Sequence, residues 1–120
     1  MPPLMLLRRA GVRVFCGNDD VRDTWSPYGN ADMLERASVI GWREDLRHDP
    51  LILELFSMVT SEGAAALGIA NYGIAPGNPA HFFTIAAENI PDAIGAHPPR
   101  KHVFHAGRLV AEDGVWSDAA

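Results

Sequence analysis

The stretch Val12-Arg13-Val14-Phe15-Cys16-Gly17-Asn18-Asp19-Asp20 decides how the rest of the chain is read. Val12, Val14 and Phe15 suit a buried strand. Gly17 and Asn18 break that run, so Asp19 and Asp20 are expected where the strand ends. Two readings of the acid pair stay open on these residues alone. Asn-Asp-Asp is good turn chemistry. In barrels of alternating strands and helices, however, reactive groups sit at the C-terminal ends of the strands.

Just upstream, Pro2 and Pro3 suit the first turn of a helix, where a missing N–H is harmless. Leu4 to Ala10 reads as a short helix with Leu4, Leu7 and Met5 inward, closed by Gly11. Helix, glycine, strand and acidic turn together read as the αβ half of a βα unit. Downstream, Val21 to Asn30 is a structured loop that carries Trp25 and Tyr28. Those two aromatics either roof the core or wall a pocket.

Asn30 is a candidate N-cap. Met33, Leu34, Ala37, Ile40, Gly41 and Leu46 follow at helical spacing and predict an amphipathic helix over 32–47. Asp32, Glu35 and Glu44 fall outside its apolar stripe and read as solvated surface. Asp49 as N-cap, with Pro50 at the first helical position, opens a second helix to about Met58. Thr60 or Ser61 caps a third, Glu62 to Leu67, which Gly68 ends. The segment 71–79 is turn-rich. It is not a phosphate loop, since Pro76 removes an amide donor and no lysine follows. Ala80 to Ala86 reads as a buried strand, and Pro91 to Ile94 as one helical turn. Residues 101–105 and 108–111 form a hairpin around Ala106-Gly107, and Asp113-Gly114 turns the chain again before Val115-Trp116.

The bulk properties exclude several classes. The chain has 120 residues, enough for one domain with a modest core. It is 48% hydrophobic and 21% charged, an ordinary globular balance. The net charge of −5 and the lack of any long basic run argue against nucleic acid as a partner. No apolar run approaches the roughly 20 residues of a membrane span, and the N-terminus lacks a signal-peptide pattern, so a cytoplasmic location is expected. Cys16 is the single cysteine, which leaves no intramolecular disulfide and no CxxC metal motif. His102 and His105, three apart on a strand, point to opposite faces and do not converge on one ion. His48, His81 and His97 are isolated.

With more of the chain in view, Gly17-x-Asp19-Asp20-x-x-Asp23-x-Trp25-x-Pro27-x-Gly29 resembles the region around the last barrel strand of cytosine-deaminase-like enzymes of the metal-dependent amidohydrolase superfamily. The similarity runs on through Ala66-Leu67-Gly68-Ile69, Tyr72-Gly73-Ile74 and Gly77-Asn78 to His105-Ala106-Gly107-Arg108-Leu109-Val110. It covers essentially the whole chain. Asn18 differs from the His or Ser often found before the acid pair, and His81 stands where the broader superfamily has Asp.

The resemblance implies an α/β fold class. It makes the chain the C-terminal fragment of a (β/α)8 amidohydrolase barrel, its last helix-strand-helix units, followed by strands of a small β-sandwich domain. Residues 1–70 would be the barrel part and 71–120 the β part. It also implies that Asp19 is a catalytic, metal-binding and proton-shuttling carboxylate, that Asp20 hydrogen-bonds the substrate, and that Trp25 lines the mouth. The implied cofactor is a divalent metal, zinc or iron, in the complete enzyme, and none held by this chain alone. The implied substrate is a small N-heterocycle such as cytosine, deaminated by hydrolysis, with triazines or other cyclic amides as the alternative. The superfamily's His-x-His, its further histidine and its acid–base pair are absent from these 120 residues, so the isolated chain is expected to be inactive. The competing expectation is a non-catalytic remnant that associates through unpaired strand edges.

Overall fold

Leu34, Ala37 and Ile40 recur at helical spacing, and all three are buried in helix α2 (Met33–Arg43) of the computed structural model, which describes residues 3–117. Before it, α1 spans Leu4–Arg9. After it come α3 (Asp49–Met58), α4 (Ser61–Ala66), β1 (Phe82–Ile85), α5 (Ile90–Ala96), β2 (Arg100–His105), β3 (Arg108–Glu112) and β4 (Val115–Trp116). The expected part played by Pro2 lies outside the described residues; Pro3 occupies the N-cap position of α1.

Helices α2, α3 and α5 pack on one another, and α4 leans on α3. Leu55 and Met58 of α3 are the largest fully buried side chains. Gly41 makes the α2–α3 approach possible: a Cβ there would lie 2.9 Å from Leu55 Cδ1. Leu4 from α1 and Ala93 and Ile94 from α5 complete the core. The single turn expected at Pro91–Ile94 is thus longer. Asn89 caps it by accepting the N–H of Asp92, and the helix runs on to Ala96 because its apolar face is buried against α2 and α3.

The strand expected at Val12–Cys16 is not one. The chain there is extended, but no ladder forms. Gly11 and Val12 donate back to Arg8 and Leu7 and close α1, and beyond them Cys16 N–H to Met58 O (3.1 Å) is the backbone bond that ties the run to the core. Val14 is buried, whereas Val12 and Phe15 are 48% and 47% exposed. A strand needs a neighbour to exchange hydrogen bonds with, and among the described residues none lies alongside. The βα unit read from the sequence is therefore not closed among the described residues.

Two caps move. Asp32, not Asn30, caps α2, accepting from the N–H groups of Leu34 and Glu35, while Asn30 Oδ1 accepts from Asp32 N–H. The helix ends at Arg43, not near Arg47, with Leu46 still buried after it. His48, not Asp49, is the N-cap of α3, so Asp49 and Pro50 form its first turn. Thr60 holds the N-cap position of α4 but makes no capping bond; its hydroxyl donates to Phe56 O instead.

The four strands form an antiparallel meander in the order β1-β2-β3-β4. Phe82 pairs with Phe104, and their rings stack at 4.7 Å. The expected buried strand at Ala80–Ala86 is shorter and only half covered, with Phe83 44% exposed under the Arg100 guanidinium. The two hairpin histidines do diverge. His102 meets Thr84 Oγ1 at 2.8 Å and Glu112 at 3.3 Å, while the His105 ring lies against His81.

Candidate functional site

The acid pair sits on a turn built from unusual backbone. Asp19, Asp20 and Arg22 all have positive φ, 44°, 54° and 52°. Each such residue carries a local cost of order 1 kcal/mol or more, tolerated where neighbours over-determine it, and aspartate bears it better than most. The neighbours are visible. Asp23 accepts from the N–H groups of Trp25 (2.8 Å) and Ser26 (3.0 Å), and Arg22 N–H donates to Tyr28 O (2.9 Å). Gly29, at φ 95°, completes the turn; a Cβ there would come within 3.0 Å of Asp20 O.

At the other end of the turn, Asn18 is clasped by α2. Arg36 donates to Asn18 Oδ1 through Nε (3.2 Å) and Nη2 (2.9 Å), and Asn18 Nδ2 reaches Met33 Sδ at 3.4 Å. Helix α2 is itself pinned by the sheet. Arg100 of β2 grips both oxygens of the Asp32 carboxylate, at 2.5 and 2.6 Å, with both side chains about four-fifths covered. Asp32 is thus no solvated surface residue: it caps α2 and anchors β2 at once.

The electrostatics follow from these contacts. Hydrogen bonding to the Asp23 carboxyl, then desolvation, then the negative charge of Asp19 raise the Asp20 carboxyl above its ordinary value. Asp23 moves the other way, held down by the N–H groups of Trp25 and Ser26. Burial by itself would raise Asp32, but the Arg100 hydrogen bonds and charge and the helix N–H groups outweigh it and hold the carboxyl low.

A depressed folded pKa contributes stability above the unfolded value, near 3.9 for aspartate, and loses it as pH falls through the lower folded value. Asp32→Asn keeps a good N-cap but removes the charge. It is expected to cost about 1–2 kcal/mol at pH 7. The gap to the unsubstituted chain should be full above about pH 5 and shrink below about pH 4. Urea unfolding of both chains across pH 2.5–7 measures this; a gap constant with pH would show that the ion pair contributes nothing.

Asp19 and Asp20 are both solvent-exposed. Among the described residues the Asp19 carboxylate has no hydrogen-bond donor and no ion-pair partner. Trp25 and Tyr28 are 87% and 79% exposed, so neither roofs this core. Two cavities occur elsewhere, one between α2, α3 and α5 and one beside α1, and neither includes Asp19, Asp20 or Trp25. No three His, Cys, Asp or Glu side chains among the described residues converge on one point. Catalytic zinc takes about three protein ligands, so the described donors do not by themselves fit a catalytic metal. No helix among the described residues is long and apolar enough to cross a membrane.

Sequence reasoning passed over Arg36 and Arg100. Arg36 lies one helical turn after Asp32, on the polar side of α2, and nothing in the local pattern marks it. Arg100 is 68 residues from its partner Asp32, beyond any periodicity argument.

Comparison with known proteins shows what the chain resembles. The amidohydrolase family profile matches residues 1–111. Among curated proteins, the N-isopropylammelide isopropyl amidohydrolase of Pseudomonas sp. (strain ADP) is 35% identical over 114 residues, covering 94% of this chain and 28% of its own. Among solved structures, the N-isopropylammelide isopropylaminohydrolase of Burkholderia multivorans superposes with a TM-score of 0.92 at 40% identity, over 98% of this chain and 30% of that one. The 5-methylcytosine deaminase of Klebsiella pneumoniae, liganded with phosphonocytosine, superposes with a TM-score of 0.84 at 25% identity, over 98% and 29%. The chain therefore spans about 30% of the length of these relatives. With its whole helical segment and nearly all of its sheet inside the matched profile, the chain belongs to the amidohydrolase family.

Proposed function

We propose that this chain is the C-terminal portion of a metal-dependent amidohydrolase that hydrolyses the exocyclic C–N bond of an amino-substituted N-heterocycle. In this reading residues 1–70 belong to the (β/α)8 barrel, with Val12–Cys16 as its last strand, and 71–120 to the small β domain. Water adds its oxygen to the ring carbon, and the amine leaves with a proton. Asp19 contributes one carboxylate to the metal-binding and proton-moving group, the remaining donors lying outside this chain. Asp20 hydrogen-bonds a ring nitrogen, and Trp25 lines the mouth. The divalent ion, zinc or iron, would activate water and stabilise charge on the ring when bound.

The observation that carries this reading is the exposed acid pair at a strained turn, with Asp19 unpartnered among the described residues, on a chain that superposes almost entirely on a solved amidohydrolase. An unpaired carboxylate on a costly backbone is what a site retains and a plain loop does not need. For the substrate, 35% and 40% identity to ammelide enzymes favours an N-alkylamino triazine. Cytosine-like deamination is the second reading, supported by the deaminase superposition.

The test is a graft of this chain over the matching segment of the Burkholderia enzyme. Hydrolysis of N-isopropylammelide within about tenfold of the parent is expected, with slower release of ammonia from cytosine. The isolated chain with added zinc or iron is expected to be inactive. An inactive but folded graft, together with a dimeric isolated chain in sedimentation, would favour the non-catalytic remnant that associates through the open edges of Val12–Cys16.

A further inference from the structure

The acid turn is held from one side by a single guanidinium, and we propose that Arg36 is the positioning residue for Asp19 and Asp20. The proposal rests on the reading of those acids as a catalytic pair. Arg36 touches neither. It acts through Asn18, the residue immediately before Asp19.

The geometry is specific. Both Nε and Nη2 of Arg36 donate to one oxygen, Asn18 Oδ1, at 3.2 and 2.9 Å. Asn18 is half-buried while Gly17, Asp19 and Asp20 are exposed, so this side chain is the point where the turn is tied to the body of the protein. Without it, Gly17 to Arg22 would hang between Cys16, bonded to Met58 O, and Arg22, bonded to Tyr28 O. Three residues of that span have positive φ, which a free loop would abandon.

The fixed base for Arg36 is equally clear. It stands one turn beyond Asp32, the N-cap of α2, which Arg100 grips from β2. The sheet therefore holds the helix start, and the helix holds the turn. A lysine at position 36 would offer a point charge in place of the planar fork that converges two donors on one oxygen. Misplacing a reacting group by about 1 Å can cost about 10²-fold in rate, and Asn18 is where such a displacement would begin.

Two experiments test this, and they fail independently. In the isolated chain, Arg36→Met is expected to lower the backbone NMR order parameters of Asp19 and Asp20 from about 0.85 to below about 0.6, with Leu34, Ala37 and Ile40 unchanged. Asn18→Ala, which leaves the sequence of α2 unchanged, should do the same and covers the case in which the Met variant folds poorly. Order parameters that stay high in both variants overturn the proposal, whatever the graft does. In the grafted enzyme, Arg36→Met is expected to lower kcat about 10- to 100-fold with KM within about threefold. Arg36→Lys should recover part of the loss. An unchanged kcat, or equal losses in kcat and stability with no recovery by lysine, overturns the positioning role. A graft inactive before any substitution counts against the catalytic reading and leaves the order parameters to decide this one.

Discussion

Asp19→Asn in the grafted enzyme should lower kcat for N-isopropylammelide by about 10²–10⁴-fold while leaving the melting temperature of the metal-free protein nearly unchanged. The rate loss is the range expected when a carboxylate that moves a proton is replaced by a group that cannot. The unchanged stability follows from this structure. Asp19 is exposed, its carboxylate has no partner among the described residues, and asparagine tolerates the φ of 44° as well as aspartate does. Substitutions at such sites stay within about 0.5 kcal/mol. Steady-state amine release from the metal-loaded graft and a thermal melt of the same preparation after chelation measure the two quantities. Activity within threefold of the graft would remove Asp19 from the chemistry and return Asn18-Asp19-Asp20 to the status of a turn.

Leu55→Ala should destabilise the chain by about 2–5 kcal/mol, the range for deleting a fully buried leucine. Leu55 is 1% exposed at the centre of the contact between α2 and α3. Its Cδ1 fills the space left by the missing side chain of Gly41, so truncation opens a cavity where the two backbones already approach closely. Rigid backbones cannot collapse into that gap, and the loss should lie toward the upper end. Single domains of this size hold only about 5–15 kcal/mol in total. The urea midpoint should therefore fall by more than about 1 M. Trp42→Ala, at a residue 87% exposed on the same helix, should change stability by about 0.5 kcal/mol or less. A loss below about 1 kcal/mol at Leu55 would mean that the α2–α3 contact is not the core of this fold.

The helices were legible because their signals are local. Leu34, Ala37 and Ile40 sit on one face by spacing alone, Pro50 marks a first turn, and Gly68 ends α4. The hairpin turns at Ala106-Gly107 and Asp113-Gly114 are local in the same way. Val12–Cys16 misled because apolar β-formers describe a strand's preference and not its partner. The stretch is extended as expected, yet no ladder exists without a second chain segment beside it. Asp32 misled for a related reason. Its position outside the apolar stripe says only that it does not face α3, and Arg100 reaches it from a strand far along the sequence.

At the site, the acid pair and Trp25 were visible as residue types at a spacing, and the resemblance they carry to amidohydrolases holds for nearly the whole chain. The strained backbone that presents Asp19 and Asp20 was not visible, nor were the guanidinium contacts at Asn18 and Asp32. The sequence by itself determined the family, the helices and the acids, because periodicity, capping and motif spacing are properties of neighbouring residues. Only the tertiary structure decided which carboxylate is free, which is committed to Arg100, and what holds the acid turn in place. Those outcomes depend on contacts across 18 and 68 residues, set by how α2 packs between the turn and the sheet.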